Sequence, residues 1–290
     1  MKWIKKYYLI FIFLCAISSI SKGQNKGILL KADSLFSMGK YKSAAIEYER
    51  FLYFSGETED FLNTLYKKAQ CYKQLSEFTK ACKTLERINL YKENLENYIE
   101  IKRELSLCHY LDNKLQKAQM QISQLRHKLK NKHLPKETLL IEIFILNEMK
   151  KWSEAQEKAI QYANSQIKME NNKTIALHQI GSLYSRKNLP KLKSIDKAEN
   201  LSRFIPGAGQ IYCGKIAEGS FTFIFNGAFL VLGVQQILTK FYFTGYTAGF
   251  GVLHKTYTGN MARTKHLAEK TNHVRHTSFN ESIIKFMLSL

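Results

Sequence analysis

Gly39-Lys40-Tyr41-Lys42-Ser43-Ala44, running on to Tyr48, decides the fold, because the chain repeats its pattern four times. Ala44, Ala81, Ala118 and Ala155 stand 37 residues apart. Three residues before each comes Tyr41, Phe78, Leu115 or Trp152, and four after each comes Tyr48, Leu85, Ile122 or Ala159. Seven after comes Phe51, Ile88, Leu125 or Tyr162. Offsets of −3, 0, +4 and +7 share one face of a helix. A small side chain at the centre of that face lets a second helix approach closely. Upstream of each alanine lies another helical stretch, as with Leu65, Ala69 and Tyr72 in residues 64–75. Two helices per period, stacked at a fixed spacing, predict an α-solenoid.

Working outward, residues 175–186 fit the first helix of a fifth unit, and they close the repeat region at residues 28–187 as a capping helix. Residues 188–200, with Asn188, Pro190, Lys191, Lys193 and Lys197, read as a basic linker. The whole chain has 290 residues but only 3 prolines, and the composition is helical. The expected class is all-α: a helical solenoid followed by a C-terminal hydrophobic helical hairpin.

Residues 1–23 read as a signal peptide. Lys2, Lys5 and Lys6 precede an apolar run from Tyr7 to Ile17, and Ser21 and Gly23 place small residues before a cut at Gln24. Leu14 precedes Cys15, where lipid attachment wants a small residue, so a lipidated cysteine is not expected. With 44 Lys+Arg against 24 Asp+Glu the formal charge is +20, and removing Lys2, Lys5, Lys6 and Lys22 leaves +16. These cations are scattered over many segments, which describes a solvated basic surface rather than a dedicated polyanion site. No nucleic-acid partner is expected.

Beyond residue 200 the character changes. Gly219 to Thr239 carries no charge, and a helix of that length rises about 31 Å, enough to cross a bilayer core. After Lys240 a second apolar run, Phe241 to Leu253, extends to Ala262 if His254 and Lys255 face a partner helix or snorkel. Gly245 and Gly249 form a small-xxx-small pair suited to close helix contact. Residues 201–262 are therefore expected to form a membrane hairpin, with a basic tail over 263–290 lying against phospholipid head groups. Basic residues flank both ends of the hairpin. The positive-inside rule alone would hold those ends in the cytoplasm, in conflict with an export leader.

The repeats resemble the tetratricopeptide family, although 37 departs from its usual period and Ser76, Asn113 and Lys150 replace the turn glycine. That resemblance implies a groove for a protein or peptide partner. Phe204-Ile-Pro-Gly-Ala-Gly-Gln-Ile-Tyr-Cys-Gly214 opens the hydrophobic part. It resembles the entry of two-helix membrane domains of the TM2 kind, and the C-terminal domain of bacterial envelope proteins with tetratricopeptide-like N-terminal parts. The resemblance rests on Pro206, Gly207, Gly209, Gln210, Tyr212, Gly214 and Gly219, then Gly259, Asn260 and Asn272. It implies a membrane domain and names no reaction.

No catalytic constellation is legible, so no enzyme and no cofactor are expected. Gly209 to Lys215 fits G-x-x-x-x-G-K, but Ile216 stands where a phosphate-binding loop needs Ser or Thr. Among the histidines, His273 and His276 lack a carboxylate set, and no metal is expected. Cys71, Cys82, Cys108 and Cys213 contain no C-x-x-C pair. They read as packed thiols, with a Cys71–Cys82 disulfide as the alternative in an oxidising compartment. The functional expectation is an exported, membrane-associated scaffold whose repeats face the periplasm. The alternative is an active hairpin, serving as a channel, transporter subunit or insertion factor, with Asn226, Gln235, Gln236 and His254 on a polar path.

Overall fold

A computed structural model describes residues 25–55, 60–130 and 133–290. The signal-peptide reading of residues 1–23 lies outside them. All regular structure among the described residues is helical, and they fall into two compact units divided after Gln166.

The first unit is a succession of helices, α1 (residues 25–37), α2 (Tyr41–Ser55), α3 (Phe61–Gln74), α4 (Phe78–Leu85), α5 (Leu95–Leu111), α6 (Leu115–Leu129), α7 (Lys136–Glu148) and α8 (Trp152–Gln166). From α2 onward each packs against the next. The 37-residue period is kept at the turn inside each pair. Helices α2, α4, α6 and α8 begin at Tyr41, Phe78, Leu115 and Trp152, while the helices before them end at residues 37, 74, 111 and 148. The connections between pairs vary in length and absorb the irregularity.

One backbone device sets that turn four times. Gly39, Ser76, Asn113 and Lys150 all adopt left-handed φ, at 72°, 58°, 55° and 61°. Around the first, the amide of Lys40 donates to the carbonyl of Leu35 at 2.9 Å and that of Gly39 to Phe36 at 3.0 Å. The same paired bonds recur at Glu77 and Ser76, Lys114 and Asn113, and Lys151 and Lys150. This pairing satisfies carbonyls that a helix end leaves unbonded. The geometry survives the loss of glycine because an added Cβ at Gly39 meets no atom within 4 Å.

Behind the turns lies the expected apolar face. Ala44, Ala81, Ala118 and Ala155 are fully buried, as are Tyr48 and Ala159, with Leu85 and Ile122 nearly so. Tyr41, Phe78, Leu115 and Trp152 are half-buried at the helix starts. Each fully buried large apolar side chain contributes roughly 1.5–3 kcal/mol, so this repeated face outweighs the scattered surface ion pairs. Tyr48 also donates to Asp33 at 2.6 Å, and burial together with that bond raises its phenol pKa.

In the second unit, α9 (Glu170–Leu183) covers most of the stretch read as a capping helix and is grouped with the C-terminal half. The segment read as a linker is partly helical. Ser194 caps α10 (Ile195–Phe204) by accepting from the Lys197 amide at 3.2 Å. Then come α11 (Ala208–Tyr212), α12 (Ile216–Leu238), α13 (Tyr242–Thr244), a π-helical turn (Gly245–Gly251) and α14 (Val252–Ser289). The segment read as a basic tail is the body of α14. It buries Leu267, Ala268, Phe279, Ile283 and Met287, and it packs against α10. A head-group-facing tail therefore gives way to a packed helix, because apolar residues recur along one side between its cations.

Helix α12 has 23 residues and is long and apolar enough to cross a membrane. Phe221, Phe223, Ile224, Val231 and Leu238 lie exposed along it. Against α12 runs the π-helical turn, and an added Cβ on Gly249 would fall 2.3 Å from the Gly233 Cα. Gly245 also lies against α12, where its Cβ would meet Ile237, Gln236 and the Gly233 carbonyl.

Candidate functional site

The entry motif is where the second unit draws its helices together. Ile205, ahead of Pro206, is extended, as the pre-proline position favours, and it ends α10. Gly207 follows with φ 93°, and a Cβ there would sit 2.1 Å from the Gly219 carbonyl oxygen. The approach is reciprocal, since a Cβ on Gly219 would fall 2.6 Å from the Gly207 oxygen. Gly209 is as tightly held: its Cβ would stand 2.1 Å from the Ala198 oxygen and 2.5 Å from Ser202 Oγ. Gly214, at φ 88°, ends α11 through the same paired bonds as the repeats, and its Cβ would meet nothing within 4 Å.

A buried polar seam lies beside these glycines. The Gly209 amide donates to Ser202 Oγ at 3.1 Å, and that oxygen is 2.9 Å from Thr264 Oγ1 on α14. Gln210 Nε2 donates to Asn260 Oδ1 at 2.7 Å, and Thr264 donates to the Asn260 carbonyl at 2.9 Å. Asn272 binds both backbone groups of Lys193: its Oδ1 accepts from the amide at 2.6 Å and its Nδ2 donates to the carbonyl at 2.7 Å. The Tyr212 hydroxyl accepts from the Ser194 amide at 3.3 Å, while Lys193 and Lys197 stand 4.4 and 5.5 Å from its ring. Glu218 and Arg263 close the outside with an ion pair at 2.7 Å.

Every motif residue singled out in the sequence thus lies in or beside this seam except Gly259, which is exposed with open space around its Cα. Chemically the seam is a clamp. Its polar atoms are mainly spent on one another and on backbone, and it contains no nucleophile beside a base. The G-x-x-x-x-G-K pattern resolves into α11 and its stop, so no open phosphate loop forms. Next to the clamp an apolar cavity of about 670 Å³ is lined by Phe204, Pro206, Phe223, Leu230, Phe250 and Tyr257, among others. Of the residues placed on a polar path, Asn226 is buried and donates to the Thr222 carbonyl, and it accepts from Thr256 at 2.8 Å. Gln236 contacts Thr244 at 3.3 Å, whereas Gln235 and His254 are exposed.

The first unit holds a cluster that sequence reasoning missed. Cys82 Sγ lies 3.4 Å from His109 Nδ1, and the other ring nitrogen is 4.0 Å from Glu86. The Cys108 thiol donates to Cys82. That bond and the imidazole hold Cys82 down at about 6, while the same bond, and burial after it, push Cys108 up. Cys71, the partner considered for Cys82, packs instead with Ala44 and Tyr48, in a different core cluster from Cys82 and Cys108. All four described cysteines are free thiols. The order carboxylate, imidazole, thiol is that of an activated nucleophile, but Cys82 is only 4% exposed and no substrate can reach it without opening the helices. No sequence signal marked the cluster: His109 follows Cys82 by 27 residues, a separation that the 37-residue period does not bring together.

No family model, no curated protein and no solved structure matches this chain.

Proposed function

We propose that the chain is an exported, non-enzymatic interaction scaffold of the bacterial cell envelope, tethered to a membrane by its C-terminal hairpin. The first unit is a tetratricopeptide-like solenoid whose groove takes a protein or peptide, and the second is the anchor in contact with lipid. The observation that carries this reading is the recurrence of the left-handed turn and buried alanine every 37 residues, in a chain that also leaves α12 apolar and uncovered. Repeat stacking builds extended binding surfaces, and a helix about 35 Å long with an exposed apolar surface suits a bilayer. The π-helical turn and the start of α14 form the second arm of the hairpin. The alternative, an active hairpin with a polar path, is less favoured because Asn226 is occupied by Thr222 and Thr256.

Fractionation of the native host with protease protection tests the reading. A tag between Ile167 and Lys168 falls between α8 and α9, clear of both helices. The tagged protein should stay with membranes through high salt and carbonate, and the tag should be cut only after the outer barrier is opened. Release into the soluble fraction would overturn the tether, and cleavage from the cytoplasmic side would overturn export.

A further inference from the structure

Helix α4 is the odd member of its series. It has 8 residues, where α2, α6 and α8 each have 15. The chain leaves the helix at Glu86, and the connection that follows brings Leu90 and Tyr91 beside α5 and α6. Between them lies a cavity of about 580 Å³, within the size range of small-molecule sites. Its walls include Tyr98 and Met120, its polar groups are Lys102, Ser123, Gln124, His127 and Lys128, and no Asp or Glu lines it among the described residues.

Lys102 is the unusual group. It is only 8% exposed, and its ammonium donates to two neutral oxygens, Gln121 Oε1 at 2.8 Å and Gln124 Oε1 at 2.6 Å. An ammonium has three donors, and among the described residues no carboxylate lies within ion-pair distance of this one. Burying a charge without a counter-charge in contact is unfavourable relative to water, and the acid that acts on Lys102, Glu86, stands beyond ion-pair distance. Elsewhere in the same unit a nearly buried lysine does receive an acid, as Lys68 does from Glu49. Lys128 adds a second cation to the lining. Its Nζ is 5.6 Å from the Tyr98 ring centroid, and Lys102 Nζ is 5.7 Å from it. Charge and surface together suit an anion that carries an apolar body.

We propose that this cavity binds a small amphiphilic carboxylate, its anionic head between Lys102 and Lys128 and its apolar body against Leu90, Tyr91, Tyr98 and Met120. Two cations near one ring give the head a fixed place, and the aromatic walls supply area for the body. The site is independent of the membrane reading above, since every residue that lines it belongs to the first unit.

The test uses the solubilised full-length chain labelled with 13C-methyl methionine, with the Met120 signal assigned through Met120→Leu. 2-Naphthoate is the probe and the neutral 2-naphthalenemethanol its control. Naphthoate should shift the Met120 methyl saturably, and the alcohol should bind at least about tenfold more weakly, the scale of one charge-assisted contact. Lys102→Met should abolish that preference. Because Lys102 is buried, the exposed Lys128→Gln provides a variant that leaves the buried core intact, and it should weaken naphthoate about threefold to tenfold. Equal shifts with both compounds, no shift with naphthoate, or an unchanged preference in both variants would each overturn the proposal.

Discussion

The glycines of the two units do different work. In the repeats a glycine position demands a backbone angle and nothing else. Gly39 has φ 72° and no atom within 4 Å of where its Cβ would be, and Ser76, Asn113 and Lys150 fill the equivalent positions without altering the turn. In the clamp the demand is for space, with a left-handed angle added at Gly207, while Gly214 beside it is a turn glycine of the repeat kind. Gly207, Gly209 and Gly219 each sit where a Cβ would strike backbone at 2.1 to 2.6 Å. A left-handed angle costs a non-glycine residue roughly 1 kcal/mol, a toll a repeat can carry. A collision with backbone has no cheap relief, because backbone atoms held by neighbouring helices cannot turn aside. One unit can drift in sequence at its turns while the other cannot drift at its contacts.

The largest effect should come from Gly209→Ala. Its methyl group would meet the Ala198 oxygen at 2.1 Å and press on Thr264, so α10 and α14 must separate and the Gly209–Ser202 bond must break. A loss of about 3 kcal/mol or more is expected, seen as early proteolysis of the second unit while the first keeps its melting behaviour. Gly259→Ala is the internal control and should be close to neutral, since its surroundings are open. Equal damage from both would remove the distinction between space and angle.

Next in size is Ala118→Leu in the first unit. Ala118 packs with Ile122, Ile141 and Ile145, and its carbonyl accepts from the buried Ser106 hydroxyl at 3.1 Å. Three added heavy atoms at the closest approach of α6 should cost about 1–3 kcal/mol, read as a lowered denaturation midpoint of that unit. Substitution at the exposed Lys117 should cost nothing measurable, because the repeat depends on the alanine face and not on composition.

The thiol cluster adds a pH dependence with a definite sign. In the fold Cys82 titrates at about 6, below its ordinary 9, so between those values the unfolded chain holds the extra proton. Its contribution is complete above about pH 9 and is lost as pH falls toward 6. Cys108 and Cys71 are raised, so above about pH 9 the unfolded chain loses protons that the fold keeps, and stability falls again. Denaturation of the first unit followed from pH 6 to 10 should show the rising limb in the native protein and lose it in Cys82→Ser. A rising limb that persists in that variant would assign it to another group.

What the sequence made legible follows from the same division. A helix face shows itself because chain spacing alone places Ala44, Tyr48 and Phe51 together, so the repeat and its period could be read directly. The entry motif was visible as a pattern, but not its pairing. Gln210 meets Asn260 across 50 residues and Asn272 meets Lys193 across 79, distances over which no periodicity applies. The end of the chain misled because counting charges hides a buried stripe: Leu267, Phe279, Ile283 and Met287 sit among cations along α14. Cys82 and His109 escaped notice because neither motif spacing nor composition marks a contact made between two adjacent helices.

The smallest effect is also the finest test of the angle argument. If the repeat turns ask only for a left-handed residue, glycine should improve each one in proportion to the discomfort of the residue it replaces. Lys150, at φ 61°, has a long side chain with no local hydrogen bond to favour that region. Ser76, at 58°, is small, and Asn113, at 55°, belongs to the residue type that tolerates it best. Relief of the angle is partly offset by the greater freedom glycine gives the unfolded chain. Net gains of about 0.5–1 kcal/mol are therefore expected for Lys150→Gly, somewhat less for Ser76→Gly and little for Asn113→Gly. The three turns lie in separate repeats, so the gains should add. Denaturation midpoints of the single and triple variants would show this order, and a loss at any of the three would mean that the side chain there contributes more than the angle costs.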